Sequence, residues 1–330
     1  LGEVALRKIQ AAIEATRGLD LAATRKVYAK GKMMKEVQLL RPDEDRGTFV
    51  KNYRSALGVV SASFPIEGGV TYEDLPWFAE IAIKGSVTSS VVDTTVRRWV
   101  FVPTASVDDL QTATFEWGDD TQAFQMNYGM VDTFEMSGEA NTGGYWAFSA
   151  GIIGTDMAKT TFTGALGERV VEDVNMFLTK CAIGAAAAVP SSYMTGRFIG
   201  FKFNLNNHLA RKYFADGVAP TLGGIGRDKR EITLEVTMEG NAATITERDA
   251  YEAGTSRVVR ITALGSTIAG SSPTHVRTVD LIVCGKWASF EVSERDTNTI
   301  FTGVLEAEYD STLTYDMSLT VDNLVTSFPP

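Results

Sequence analysis

The chain is poor in the residues that most often carry chemistry, with two cysteines and two histidines in 330 residues. Cys181 and Cys284 fall in different halves, so no disulfide framework is read and both are expected to be free thiols. His208 and His275 have no partners at metal-ligand spacing, which argues against a zinc site. Positive charge is scarce too: 31 Lys and Arg against 41 Asp and Glu leave a formal net charge of −10. Wrapping nucleic acid requires basic clusters that neutralise phosphates, so that class is excluded. Surrounding nucleic acid without holding it is not, because an acidic wall repels phosphate and lets the polymer slide. No apolar run approaches the ~18 residues of a membrane-crossing helix. The first ten residues carry Glu3, Arg7 and Lys8 where a signal core would be apolar, so export and membrane contact are not expected.

What is present is β text that reads as written twice. Phe64-Pro65-Ile66-Glu67-Gly68-Gly69-Val70-Thr71-Tyr72-Glu73-Asp74 and the run Val236 to Asp249, with Glu239-Gly240 and Thr244-Ile245-Thr246-Glu247, both read as strand, Glu-Gly turn, then a Thr-x-x-acid helix start. Downstream, Asp132-Thr133-Phe134-Glu135-Met136-Ser137 matches Ala288-Ser289-Phe290-Glu291-Val292-Ser293, each ahead of an aromatic strand, Tyr145-Trp146-Ala147-Phe148 and Ile300-Phe301-Thr302. Such internal repetition suits a ring-building protein, because fusing two copies halves the number of chains needed to close the ring. One strand shows two faces plainly: Ile232, Leu234, Val236 and Met238 alternate with Glu231, Thr233, Glu235, Thr237 and Glu239. One side is for a core and the other is acidic and wet. A solvated sheet face explains the pattern, and so does the wall of a water-filled channel ringed by carboxylates.

The spacing predicts an N-terminal arm over residues 1–35, a first module over 36–165, a connector over 166–195 and a second module over 196–330. The arm is expected to be poorly held by its own domain, with helix-friendly text from Val4 to Ala15 and basic residues at Arg25, Lys26, Lys30, Lys32 and Lys35. In the first module a helix is predicted after Thr71, with its start nearer Leu75 because Pro76 fits only the first turn; in the second, near Glu247 to Ala253. The Ser, Thr and Val-rich segment 85–109, with Arg97 and Arg98, is extra length in the first copy. Glu168 to Leu178 reads as a short helix.

Catalytic motifs are not found. Ala147-Phe148-Ser149-Ala150-Gly151 lacks the leading glycine of a nucleophile elbow. Gly224-Ile225-Gly226-Arg227-Asp228 opens strand text, not the helix a phosphate cradle requires, and reads as a flexible loop. The reading is of a protein that is not an enzyme, with no catalytic, cofactor-binding or metal-binding residues.

The doubled halves, the basic arm, the helix start after a Glu-Gly pair, and the closing run from Thr299 to Asp310 into Leu319-Thr320-Val321-Asp322-Asn323 together resemble the tail tube proteins of long-tailed, non-contractile phages. The resemblance covers most of the chain and rests on the order of parts. It implies a mainly β fold of two tandem tail-tube-like β-sandwich or barrel modules, each with one flanking helix, whose inner sheets join neighbouring subunits into a continuous barrel. It implies stacked rings forming the hollow conduit for DNA ejection in the phage tail of the virion. With two modules in one chain, the expected ring is a trimer of pseudo-sixfold symmetry. Expected partners are further copies of the chain, a tape measure protein and a tail terminator, with DNA passing through unbound. Lumen-facing candidates are Glu135, Glu231, Glu235, Glu239 and Glu291. Inter-ring candidates are Arg25, Lys26, Lys30, Lys32, Lys35, Arg97 and Arg98. Alternatives are another ring-forming tail or baseplate component and, more remotely, a β-sandwich binding module or hydrolase.

Overall fold

The computed structural model describes residues 3–107, 110–142, 144–215, 222–295 and 297–328, and the chain is mainly β. The first half holds β1 (Lys8–Ile13), β2 (Arg25–Val27), β3 (Lys30–Gly31), β4 (Met34–Leu40), β5 (Ala56–Gly69) and helix α1 (Leu75–Ala82). It continues with β6 (Ser90–Val91), β7 (Arg97–Phe101), β8 (Ala113–Gly118), β9 (Ala123–Glu139), β10 (Ala147–Gly154) and β11 (Ala158–Thr160). The second half holds β12 (Thr179–Ala185), β13 (Phe198–Asn206), β14 (Leu209–Lys212), β15 (Gly224–Arg227), β16 (Glu231–Glu239) and helix α2 (Ala242–Glu252). Then come β17 (Arg257–Thr267), β18 (Val276–Arg295), β19 (Asn298–Ala307) and β20 (Met317–Asn323). Among the described residues no helix is long and apolar enough to cross a membrane.

Two long strands organise the molecule. The N-terminal part of β9 pairs with β8 and β11, and its C-terminal part with β10 and β13. Likewise, β18 pairs first with β17 and β20 and then with β19. Each long strand thus passes from an outer to an inner sheet. The first-half set β1, β4, β5, α1, β8, β9, β10, β11 has the same order and the same neighbours as β12, β13, β16, α2, β17, β18, β19, β20. The inner sheets meet at the antiparallel pair β9–β13, giving one run in the order β4–β5–β10–β9–β13–β16–β19–β18. A single apolar cluster, including Trp77, Phe134, Phe203 and Leu281, extends through both halves.

The sheet change has a local cause that recurs at one sequence offset. Gly129 is the last β9 residue paired with β8, opposite Ala113, and Gly285 is where β18 leaves β17, opposite Arg257. A Cβ on Gly129 would lie 2.7 Å from the Ala113 carbonyl oxygen, and one on Gly285 would fall on the Glu306 carbonyl. Only glycine lets the backbones approach so closely. Three residues later each strand carries one unpaired residue, Asp132 against β10 and Ala288 against β19, a β-bulge that bends the strand. Gly285, Ala288 and Phe290 each lie 156 residues after Gly129, Asp132 and Phe134. The sequence match at Asp132 and Ala288 therefore begins on the two bulges.

The Glu-Gly match does not hold its register. Gly68 lies opposite Phe148 and Met238 opposite Phe301, so with the aromatics superposed Glu67 is equivalent to Thr237, not to Glu239. Glu67-Gly68 is moreover not a turn but strand, because β10 supplies ladder partners as far as Gly69. α1 starts at Leu75 behind Asp74, whose N–H donates to the Thr71 hydroxyl at 3.1 Å. The start of α2 is earlier than the Thr-x-x-acid pattern suggests: the Asn241 side chain accepts from the backbone N–H of Ala243 and Thr244 at 2.9 and 3.2 Å. Asn is the stronger cap, and two alanines follow it.

Residues 8–31 are not a loose arm. Ile9, Ala11, Ala12 and Ile13 are buried in β1, which pairs with β8 and β2. The buried carboxylate of Glu14 accepts from the hydroxyls of Thr112 and Thr114 at 2.6 and 2.9 Å and from the N–H of Gly18 and Tyr128 at 2.7 and 2.8 Å. Without that acceptor, each buried donor would cost about 1–3 kcal/mol. Helix text failed here because strand pairing and burial override propensity. Segment 85–107 is also fixed: β7 pairs with β20 of the second half, burying Trp99 and Phe101. Glu168 to Leu178 is irregular apart from single bridges at Asp173 and Asn175 and one 3-10 turn at Met176–Leu178, not a helix, and the connector supplies β12 to the second outer sheet. Gly224–Arg227 is a strand paired with β14, not a free loop.

Candidate functional site

The inner run of strands has one face on the core and one in water. Ladder registers align the wet side chains into rows across β5, β10, β9, β13, β16, β19 and β18. One row reads Glu67, Ser149, Glu135, Asn204, Thr233, Glu306, Lys286; the next reads Gly69, Ala147, Ser137, Lys202, Glu235, Val304, Ser289. A third joins Glu139, Gly200, Thr237, Thr302 and Glu291 across β9 to β18. Small side chains at the middle of these rows leave a recess of about 700 Å³ lined by Glu67, Gly69, Glu135, Ser137, Ala147 and Ser149 among others. A second, of about 310 Å³, lies beside it between Glu139, Gly200, Lys202 and Glu235.

All five lumen candidates fall on this face, and alternation along β9, β16 and β18 puts them there. Glu135 makes a 3.0 Å ion pair with Lys202, and Glu235 stands opposite the same lysine. Glu231 lies 3.3 Å from His208 Nε2, and Glu239 accepts from Asn298 at 2.7 Å. Glu291 is exposed opposite Thr302. Sequence reading missed Glu67, Glu139 and Glu306 on the same face, and the cations Lys202, Lys286 and Arg295; Lys30, which it assigned to contacts between rings, lies opposite Glu67 on this face. The signal for Lys202 was available: Phe201, Phe203 and Leu205 alternate with Lys202, Asn204 and Asn206. The surface carries more carboxylates than cations, and in water between low-dielectric walls it sets a negative field.

The seven basic candidates do not form one surface. Arg25 is buried at 9% exposure: its guanidinium bonds Asp74 and packs over the rings of Trp77 and Phe328. Burial pulls it down to about 10 despite the Asp74 charge. It is therefore withdrawn as a contact between rings; sequence displays the charge but not the distant carboxylate that claims it. Lys26 pairs with Glu168, Lys35 with Asp156 at 2.8 Å and Arg98 with Asp322 at 2.7 Å. Arg97 is half-buried in β7, whereas Lys30 and Lys32 are exposed.

Two strand edges flank the wet face. Among the described residues β4 pairs only with β5, and the Trp287–Arg295 stretch of β18 only with β19. β4 is exposed along its whole length, and Val37, Leu39, Leu40 and Leu57 present apolar side chains at that end. Such an edge is a template for another strand.

One buried carboxyl ties α1 to the hairpin that reaches the second half. Glu80, 7% exposed, accepts from the backbone N–H of Ser86 and Val87, yet burial dominates and pushes it up to about 7. A carboxyl raised in the folded state adds stability that is full below about pH 4.5 and is lost as pH rises through about 7, worth about 3 kcal/mol. Glu80→Gln keeps the acceptor and removes the titration. Relative to wild type, the variant is expected to gain about 3 kcal/mol between pH 4.5 and pH 8 in urea titrations; a constant difference across that range would refute the assignment.

Among the described residues no group of three or more His, Cys, Asp and Glu is placed to hold a metal ion. A scan against protein-family models finds no match for this chain, and a search of curated proteins finds no similar sequence.

Proposed function

We propose that this chain is the structural subunit of a phage tail tube, closing into rings through its two free inner-sheet edges and stacking into a hollow conduit for DNA. The observation that carries the reading is the β9–β13 joint. Within one chain it links two four-stranded units of the same order edge to edge, and the outermost strands, β4 and β18, are the counterparts of β13 and β9. Pairing β18 of one copy with β4 of the next repeats the joint, leaves the inner sheet no open edge once the circle closes, and covers backbone groups that otherwise face water.

Three copies then supply six equivalent units, giving a threefold ring with pseudo-sixfold order. The wet face, with Glu135, Glu231, Glu235, Glu239 and Glu291, becomes the lumen wall, and its acidic balance keeps DNA from adhering. Stacking is a heterologous contact that does not close, which yields a filament in the virion tail; a tape measure protein and a tail terminator would set its length and end. The exposed Lys32 remains a candidate for stacking contacts, whereas Lys30, opposite Glu67, goes with the lumen wall.

Negative-stain imaging of the purified chain tests this reading. Filaments whose end views average with threefold symmetry and six lobes are expected. Single rings without filaments would favour a baseplate component, and monomers at every concentration would contradict the proposal.

A further inference from the structure

α1 and α2 occupy equivalent places yet differ in cover. All eight residues of α1 are buried, whereas in α2 only Thr244 and Ala250 are, and Ile245 and Tyr251 stand 52% and 37% exposed. Both helices rest on their long strand; for α2 the contacts include Tyr251 stacked on Phe290, and Glu247 accepting from Trp287 Nε1 at 3.3 Å. What differs is the outer side. The second half closes over both ends of α1: Asn323, at the end of β20, donates to the Tyr72 carbonyl at 2.7 Å and Arg277 of β18 bonds Glu73 at 2.7 Å just before the helix, and Asn207 donates to the Ala82 carbonyl at 2.9 Å at its end; β7 of the first half, paired with β20, lies against the helix between them.

We propose that the outer side of α2 is the seat for the β11 segment, residues 158–162, of a second copy of this chain. β11 holds in the first outer sheet the position that β20 holds in the second. At the β9–β18 offset, Phe124, paired with Lys159, is equivalent to Asp280, paired with Thr320. Residues 160–162 thus stand where Val321 to Asn323 stand over α1. β11 is exposed to half-buried and, among the described residues, pairs only with β9, while β20 is flanked on its other side by β7. The seat is continuous with the proposed β18–β4 joint, because α2 packs on β18. The inference rests on the ring reading and adds to it a second, outer contact at every subunit boundary.

The test uses the full chain with Ile245→Arg, and separately a pair of cysteines at Ile245 and Lys159 treated with a short bismaleimide. Ile245 is exposed in the single chain, so the arginine variant is expected to keep the wild-type circular dichroism spectrum and melting temperature. Its ring dissociation constant, read by analytical ultracentrifugation, is expected to rise about tenfold or more, and the cysteine pair is expected to join different chains. Rings of unchanged affinity with no crosslink between chains would overturn this seat and leave the ring reading standing. A wild-type chain that stays monomeric would overturn both.

Discussion

Replacing Gly285 with valine is expected to leave no cooperatively folded protein. At this position β18 leaves β17 and takes up β19, and a Cβ would collide with the Glu306 carbonyl and lie 3.0 Å from the Ala307 Cα. Both obstacles are backbone, so no side-chain rotation relieves them. Overpacking a core side chain typically costs about 1–3 kcal/mol, and more where backbone must shift. Here the ladder between two sheets has to separate, against a total stability of about 5–15 kcal/mol. Gly129→Val meets one carbonyl at 2.7 Å and the Phe115 ring at 2.8 Å; the ring can give, so this variant is expected to fold but lose about 3 kcal/mol. Gly164→Val, with nothing within 4 Å of its Cβ, serves as the control and is expected to melt with wild type. Thermal melts followed by circular dichroism separate the three, and a Gly285→Val melt indistinguishable from the control would show that the crossing does not depend on close approach.

How much of this was legible in sequence follows from which interactions are local. The two faces of β16 could be read because strand periodicity is a property of neighbouring residues. The Asp132 and Ala288 motifs could be read because a bulge followed by an aromatic core residue leaves the same text twice. The wet-face carboxylates Glu231, Glu235 and Glu239 followed from the same alternation, whereas Glu67, Glu139 and Glu306 did not. Pairing partners were not legible. β7 joins β20 across most of the chain, and β1 is a buried strand although its text suits a helix. Arg25 illustrates the limit most simply: a basic residue in a run of basic residues reads as surface until Asp74 and Trp77 are seen around it. The Glu67 and Glu239 match misled because Glu-Gly is common where strands end, and register, not spelling, decides equivalence.

The register that corrected that match also specifies the joint between copies. Met34 lies opposite Ser63, Asn204 lies opposite Thr233, and with Phe148 on Phe301 these pairs coincide, so Met34 is the counterpart of Asn204. Asn204 faces Glu135, whose counterpart at the bulge offset is Glu291. Met34 of one chain should therefore face Glu291 of the next, with Cα atoms about 4.5–5.5 Å apart, within reach of a disulfide. The two native cysteines are buried and do not compete.

The most direct measurement is mild oxidation of assembled Met34→Cys/Glu291→Cys protein, followed by a non-reducing gel. Near-complete conversion to a covalently closed trimer is expected, and almost none from Lys35→Cys/Glu291→Cys, whose side chains point to opposite faces. Protein that assembles as wild type does, yet stays at the mass of one chain or crosslinks equally in both pairs, would contradict the edge-to-edge joint on which the tube depends.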